Sequence, residues 1–403
     1  MTSSLSGRDI LIISQQPWDT EIGSNCKNIA LEFSKTNRIL YVNSPLDRIT
    51  IFKNRHTPNV QNRLSKLRTK SNTLMEVQSN LWNLYPDCIL ESINWIDNSI
   101  LYNAFNKINN RRFAKSIKKA LSTLGFKDMI LFNDNEMFKG YYLQELLSPS
   151  ISIYYSRDYM LAVDYWKKHG ETLEPKLIAK SDLCVANSTY LADYCRKYNK
   201  NSFYVGQGCD LEVPIDIDVN HPDELRSIKK PIIGYVGALQ SIRLDIDVIL
   251  HLAYERPEWS IVLVGPEDES FQKSRLHNLP NVHFLGTKPV CDLPYFINSF
   301  DVCINPQAVN MVTIGNYPRK IDEYLYFGKK VVATKTKAMD MFENFVYLAE
   351  DKYSYLELID RALDENSVQS KEDRMRFARS HSWKESVLKI SDAVENLHIS
   401  EQK

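Results

Sequence analysis

Residues 310–334 read NMVTIGNYPRKIDEYLYFGKKVVAT, a loop, a helix and a strand in that order. Pro318 suits the first turn of a helix, where a missing N–H is no loss. Gly328 suits the left-handed position that ends one. Val331-Val332-Ala333-Thr334 then reads as a buried strand. Ahead of the helix lies the polar, glycine-containing loop Thr313–Asn316. Free N–H groups there, together with the positive end of the helix dipole, make an expected anion site. Glu323 falls more than one turn further along. A carboxylate at that place either accepts two hydrogen bonds from a ribose diol or pairs with Arg319 or Lys320 on the same helix face.

Outward from this stretch the same pattern repeats. Pro231–Gly237, Trp259–Pro266, Val282–Gly286 and Phe300–Pro306 are further strand candidates, and three of them run directly into a glycine: Gly237, Gly265 and Gly286. In an open parallel sheet ligands bind beyond the carboxyl ends of the strands, and glycine there lets backbone approach a phosphate. One such glycine is ordinarily just a tight turn, but three within one half of a chain carry more weight. Upstream, Ile10–Ile13, Arg38–Val42, Met129–Phe132, Ile151–Tyr155 and Leu183–Ala186 are further strand candidates separated by helical stretches. Strands alternating with helices imply βαβ units and parallel sheets. Between Val205 and Pro231 the periodicity stops in Gly, Pro and Asp. The expected organisation is an N-terminal domain over 1–206, a linker over 207–230, a second domain over 231–370, and C-terminal helices over 371–403 that pack back towards the first domain.

Composition bounds the chemistry. The chain has 403 residues, enough for two cores. No apolar run approaches a membrane span, and the start has no signal-like apolar stretch. Seven scattered cysteines without C-x-x-C spacing are expected as free thiols in a reducing cytoplasm. Residues 1–206 hold 27 Lys and Arg against 19 Asp and Glu, or +8, and the remainder is −8. The excess gathers in Lys53, Arg55, Arg63, Lys66, Arg68 and Lys70, and in Lys107, Arg111, Arg112, Lys115, Lys118 and Lys119. Such a face is either simply solvated or meets an anion, with anionic lipid or a phosphorylated acceptor as the candidates. No nucleic-acid motif accompanies it. Asp216-x-Asp218 lies in the linker and Asp245-x-Asp247 opens a helix, so neither supports a metal, and the histidines lack zinc spacing. Asp158 follows the run Ile151–Tyr155 and is expected at the carboxyl end of a strand, as a general base, an ion-pair partner of Arg157 or a helix cap. Asp134 and Glu136 rival it by the same logic.

The stretch PRKIDEYLYFGKKVVAT resembles the PLKxxEYLAxGKPVV signature of bacterial family-4-like glycosyltransferases of the GT-B group. Gly234–Leu239, Trp259–Pro266 and Leu279–Gly286 are similar to further blocks of that group's donor domain, in the same order. In the first half Tyr154–Asp158, Glu174–Ser188 and Gly208-Cys209-Asp210 resemble it more loosely. The resemblance implies two Rossmann-like doubly wound parallel-sheet α/β domains facing a central cleft. It implies a nucleoside-diphosphate sugar as co-substrate, UDP-sugar favoured, with no cofactor or metal. Glu323 would bind the donor ribose; Gly237, Thr313, Gly315 and Asn316 would face the diphosphate; and Gly286 would pass the base. Arg243 and Lys320 would steady the leaving group, and Asp158 would serve the acceptor. The group carries a glutamate where this chain has Gly315, a leucine at Arg319 and a proline at Lys330. The expected function is sugar transfer to a glycan or lipid-linked acceptor in surface polysaccharide synthesis. The expected location is cytoplasmic and peripheral, with Arg111, Arg112, Lys115 and Lys118 on an inner membrane face. A nucleotide-sugar epimerase and a non-catalytic GT-B-like partner are the alternatives.

Overall fold

The computed structural model describes residues 5–19, 24–69, 73–209, 217 and 222–401. Lys70, Asp210 and the Asp216-x-Asp218 motif lie outside them. The chain forms two compact units, one of residues 1–208 with 383–403, the other of residues 209–382.

Among its described residues the first unit holds ten strands: β1 (Asp9–Ser14), β2 (Arg38–Asn43), β3 (Leu46–Asp47), β4 (Leu74–Gln78), β5 (Leu81–Leu84), β6 (Ile89–Leu90), β7 (Ile130–Asp134), β8 (Ile151–Ser156), β9 (Leu183–Ala186) and β10 (Ser202–Tyr204). Eight of them make one sheet in the order β10-β9-β8-β7-β1-β2-β5-β4, with β3 and β6 paired apart. All its pairings are parallel except β4 with β5 at the edge. The chain winds outward from β1 in both directions, so the topological switch falls between β1 and β7. Strand residues alternate between two cores: Ile10 and Ile12 face one side, Leu11 and Ile13 the other. Both sides are buried, which is why these strands read as continuous apolar runs.

The second unit holds β11 (Ile232–Val236), β12 (Ser260–Val264), β13 (Val282–Gly286), β14 (Val302–Asn305), β15 (Val331–Thr334) and β16 (Tyr347–Ala349) in the order β13-β12-β11-β14-β15-β16. Every pairing is parallel, and the switch falls between β11 and β14. Of the C-terminal helices, Val368–Arg379 belongs to this unit. The next, Trp383–Glu401, belongs to the first, where Trp383, Ile390, Ala393, Val394 and Leu397 enter its core. None of the seven cysteines is joined in a disulfide. Among the described residues no helix is long and apolar enough to cross a membrane, and no three metal-ligating side chains are grouped.

Candidate functional site

The carboxyl edge of the second sheet is a row of glycine turns. Gly237, Gly265 and Gly286 have φ of 142°, 148° and 67°. They are stitched together, Gly237 N–H donating to Val264 O at 2.8 Å and Gly265 N–H to Gly286 O at 2.9 Å. A Cβ on Gly265 would stand 2.0 Å from the Gly237 oxygen, so the two turns touch only because Gly265 lacks a side chain.

The helix Arg319–Tyr326 reaches this edge from the loop beyond β14, across the switch point. It is shorter at its start than the sequence implies, since Pro318 stands before it rather than inside it. Gly328 takes the expected left-handed conformation at its end. The helix is held from below. Asp322 is fully buried, and its carboxylate accepts the Tyr317 hydroxyl and His381 Nδ1, the latter at 2.7 Å. The buried Tyr324 hydroxyl accepts the Val236 N–H at 2.9 Å and donates to the Val236 carbonyl at 3.4 Å.

That anchoring places Lys320 beside Gly237. A Cβ on Gly237 would meet Lys320 Cε at 3.3 Å, and the Lys320 ammonium lies 4.9 Å from the centre of the Tyr235 ring. Glu323, one turn on, is half-buried. Its Oε1 stands 3.2 Å from Arg319 Nε, the same-face pair that the spacing allowed. The geometry is that of an ion pair without a hydrogen bond, for Arg319 Nε is buried and has no acceptor. Burial pushes the Glu323 carboxyl above its ordinary value, against the pull of Arg319 and Lys320. Its oxygens accept no side-chain hydrogen bond among the described residues and remain open to a hydroxyl-bearing ligand.

The loop ahead of the helix corrects one expectation. Its N–H groups at Thr313, Ile314 and Asn316 are not free but donate to Asn310 O, Asn310 O and Thr313 O. Thr313 is buried, and its hydroxyl donates to Ala308 O and accepts from the Asn310 N–H. It folds the loop. Gly315 is also buried and Asn316 half-buried. Arg243 is exposed on the next turn, whose backbone is tied to this loop: Ala308 N–H donates to Arg243 O at 2.9 Å, and Asn310 Nδ2 to Ile242 O at 2.7 Å. The structure thus brings Lys320 to Gly237, with Glu323 one turn further along the same helix, and ties the turn that carries Arg243 to the loop before that helix.

In the first unit the switch point carries the Arg157–Asp158 pair that the sequence offered, extended to Asp134 and Ser14. Ser14 Oγ donates to Asp134 Oδ2 and Arg157 Nε to Asp134 Oδ1, both at 2.7 Å. Arg157 Nη1 also donates to Asp158 Oδ2 at 2.7 Å. Burial opposes charge on the guanidinium, but Asp134 and Asp158 hold it ionised. Asp134 is fully buried, and Glu136 is buried with Oε1 accepting the N–H groups of Phe138 and Lys139. Of these three acids only Asp158 reaches solvent, its side chain 42% exposed. The signal was present in the register, which sets Ser14 opposite Asp134, but register is a property of the folded sheet.

Arg111, Arg112, Lys115 and Lys118 project into solvent from the helix Ser99–Leu124. Arg112 also pairs with Glu91 at 2.9 Å. In the other basic stretch Arg63 is engaged with Asp19 at 2.9 Å and Lys66 lies over the Tyr85 ring at 3.7 Å, so that run is only partly a free cationic surface.

Residues 230–364 match the sequence profile of the family described as Glycosyl transferases group 1. The putative teichuronic acid biosynthesis glycosyltransferase TuaH of Bacillus subtilis (strain 168) is 25% identical over 238 residues, which are 55% of this chain and 59% of that protein. The chain thus aligns with less than two thirds of that relative's length. Among solved structures it is similar to the sucrose-phosphate synthase of Thermosynechococcus elongatus, with a TM-score of 0.64 at 14% identity, covering 98% of this chain and 100% of that one. It is similar also to Anabaena HepE in complex with UDP and glucose, with a TM-score of 0.60 at 15% identity and the same coverage. Residues 230–364 are therefore similar to group 1 glycosyltransferases, and the chain has the GT-B fold.

Proposed function

We propose that this chain is a glycosyltransferase that moves a sugar from a nucleoside-diphosphate sugar, UDP-sugar favoured, to a glycan or lipid-linked acceptor in surface polysaccharide synthesis. The observation that carries the reading is the meeting of Lys320 with Gly237 at the glycine edge, with Glu323 open one turn further on. Backbone without side chains admits a diphosphate, an ammonium neutralises it, and a carboxylate takes the ribose diol. The chemical demand is charge: as the sugar–oxygen bond breaks, the leaving diphosphate gains negative charge, and preorganised cations stabilise it most at that moment. Lys320 and Arg243 fill that role. Asp158, solvent-reaching at the end of β8, serves the acceptor hydroxyl. UDP in the HepE complex and the polysaccharide role in the name of TuaH support the substrate classes. The cations Arg111, Arg112, Lys115 and Lys118, with exposed Ile100, Leu101, Phe105 and Ile108 on the same helix, suit an anionic lipid surface that presents a lipid-linked acceptor.

The test is donor binding followed by turnover. Glu323→Ala should weaken UDP-sugar binding in calorimetry by roughly 1.5–3 kcal/mol, the worth of hydrogen bonds to a charged acceptor. Lys320→Ala and Arg243→Ala should lower kcat more than they raise KM. Unchanged donor affinity in a folded Glu323 variant would contradict the site. Conversion of a UDP-sugar without any acceptor would favour an epimerase instead.

A further inference from the structure

The turn beyond β7 holds a residue that neither the donor site nor the Asp134–Arg157–Asp158 network uses. Asn135 is fully buried, and its backbone is left-handed at φ 51°. Few residues other than glycine take that conformation, and asparagine is among those that do. The turn is knit from within. Asn133 Oδ1 accepts the Glu136 N–H at 2.9 Å, and Glu136 Oε1 accepts those of Phe138 and Lys139 at 3.2 and 3.0 Å.

The register of β7 on β8 ends with Asp134 opposite Tyr155. One residue on, the ladder continues by other means. The Asn135 N–H donates to Tyr155 O at 3.0 Å, as a residue in a parallel strand does. The matching bond of such a ladder would join the Asn135 carbonyl to the Arg157 N–H. The left-handed turn has carried that carbonyl away, to Gln15 Nε2 at 2.6 Å and the Met137 N–H at 3.0 Å. The side chain takes its place: Asn135 Oδ1 accepts the Arg157 N–H at 2.7 Å. Its Nδ2 donates to Asp158 O at 3.2 Å. One residue thus grips the chain at Tyr155, Arg157 and Asp158, and a single planar amide sets the last two relative to each other.

Those two residues carry the ion pair at the end of β8. The Arg157 guanidinium, anchored on Asp134, holds the Asp158 carboxylate. Asn135 holds the backbone on which both stand. The Asp158 side chain is 42% exposed, so packing alone does not fix it and its place depends on these two holds. We propose that Asn135 is a positioning residue for Asp158, its amide aiming the carboxylate by fixing the backbone at Arg157 and Asp158. The proposal rests on the reading of Asp158 as the group that serves the acceptor hydroxyl.

The experiment compares the full chain with Asn135→Gly, Asp158→Asn and the double variant. Glycine suits φ 51°, so the first substitution removes the amide without straining the turn. Turnover is read as UDP release from UDP-glucose or UDP-N-acetylglucosamine with octyl glucoside as acceptor, UDP affinity by calorimetry, and the segment after β8 by hydrogen exchange. Asn135→Gly should lower kcat by roughly ten- to a hundredfold, the effect of about an ångström of misplacement, with UDP affinity unchanged. The Arg157 amide should exchange faster. In the Asp158→Asn background the same substitution should change kcat by less than about twofold, because the group it positions is gone. A purely structural role would subtract from both backgrounds alike. Full turnover in Asn135→Gly, or an equal further loss in the double variant, overturns the proposal. So does unchanged protection of the Arg157 amide, whatever the turnover. If Asn135→Gly does not fold, Asn135→Asp decides. It keeps the acceptor for the Arg157 N–H and sets an oxygen against the Asp158 carbonyl, so kcat should again fall with UDP affinity kept, and full turnover overturns the idea. Loss in Asp158→Asn beside full turnover in Asn135→Gly removes this proposal alone. Near-normal turnover in Asp158→Asn removes the reading of Asp158 and this proposal with it.

Discussion

At the scale of single residues, environment separates acids that look alike in sequence. Asp134, Glu136, Asp158 and Glu174 all stand near strand ends or helix faces of the first unit. Only Asp158 combines a solvent-reaching carboxylate with a partner, Arg157, that holds it in place. Asp158→Asn keeps the shape and removes the base; kcat should fall by about 10²–10⁴-fold with donor affinity preserved. Near-normal turnover would remove Asp158 from the reaction. Glu174 is a different case. Its two oxygens accept the hydroxyls of Tyr154 and Tyr194 at 2.7 and 3.1 Å, and no cation pairs with it among the described residues. Burial raises its carboxyl above the ordinary 4.5 by more than the hydroxyls lower it. The folded state therefore keeps this proton to higher pH than the unfolded chain does. Its contribution to stability is greatest below the unfolded value, is lost as pH rises to the folded one, and is flat above. Glu174→Gln should cancel that loss, so the urea midpoint of the variant should gain on the wild type as pH rises above the ordinary carboxyl value of 4.5. A difference that does not vary with pH would mean the side chain is not buried as described.

Elements meet at the glycine edge, and there the argument turns on contact between backbones. Gly265 at φ 148° faces the Gly237 carbonyl at the distance of a clash for any Cβ. Gly265→Ala must push β11 and β12 apart at their ends or strain the turn, at a cost of roughly 1–3 kcal/mol. Because Gly237 would move with it, the variant should lose donor affinity as well as unfolding midpoint. Stability loss with donor affinity intact would detach Gly237 from the nucleotide site. Helix Arg319–Tyr326 was readable from Pro318 and Gly328, since both residues act locally on backbone dihedrals. The closed N–H groups of the Thr313 loop were not, because whether a loop binds itself or a ligand depends on turns that residue type alone does not specify.

At the scale of the molecule, charge is the property that sequence reports directly: +8 in the first 206 residues and −8 in the rest. If the exposed cations of the helix Ser99–Leu124 meet an anionic bilayer, replacing Arg111, Arg112, Lys115 and Lys118 with Gln should remove roughly 1 kcal/mol of liposome affinity per charge. The binding should also weaken as salt rises. Co-sedimentation that is absent at low salt, or indifferent to the substitutions, would refute the membrane contact. What the sequence by itself determined is whatever local rules govern: two series of alternating strands and helices, the glycine ends of β11, β12 and β13, the helix before β15, and the resemblance of residues 231–335. Those features follow from apolar period, dihedral preference and fixed spacing. The tertiary structure alone decided the rest. It placed Trp383–Glu401 in the first unit, set Ser14 against Asp134, engaged Arg63 and Lys66, and brought Lys320 to Gly237 eighty-three positions away. Each of these is a meeting of residues remote in the chain. Such meetings are chosen by how whole elements pack and register, and no local pattern records that.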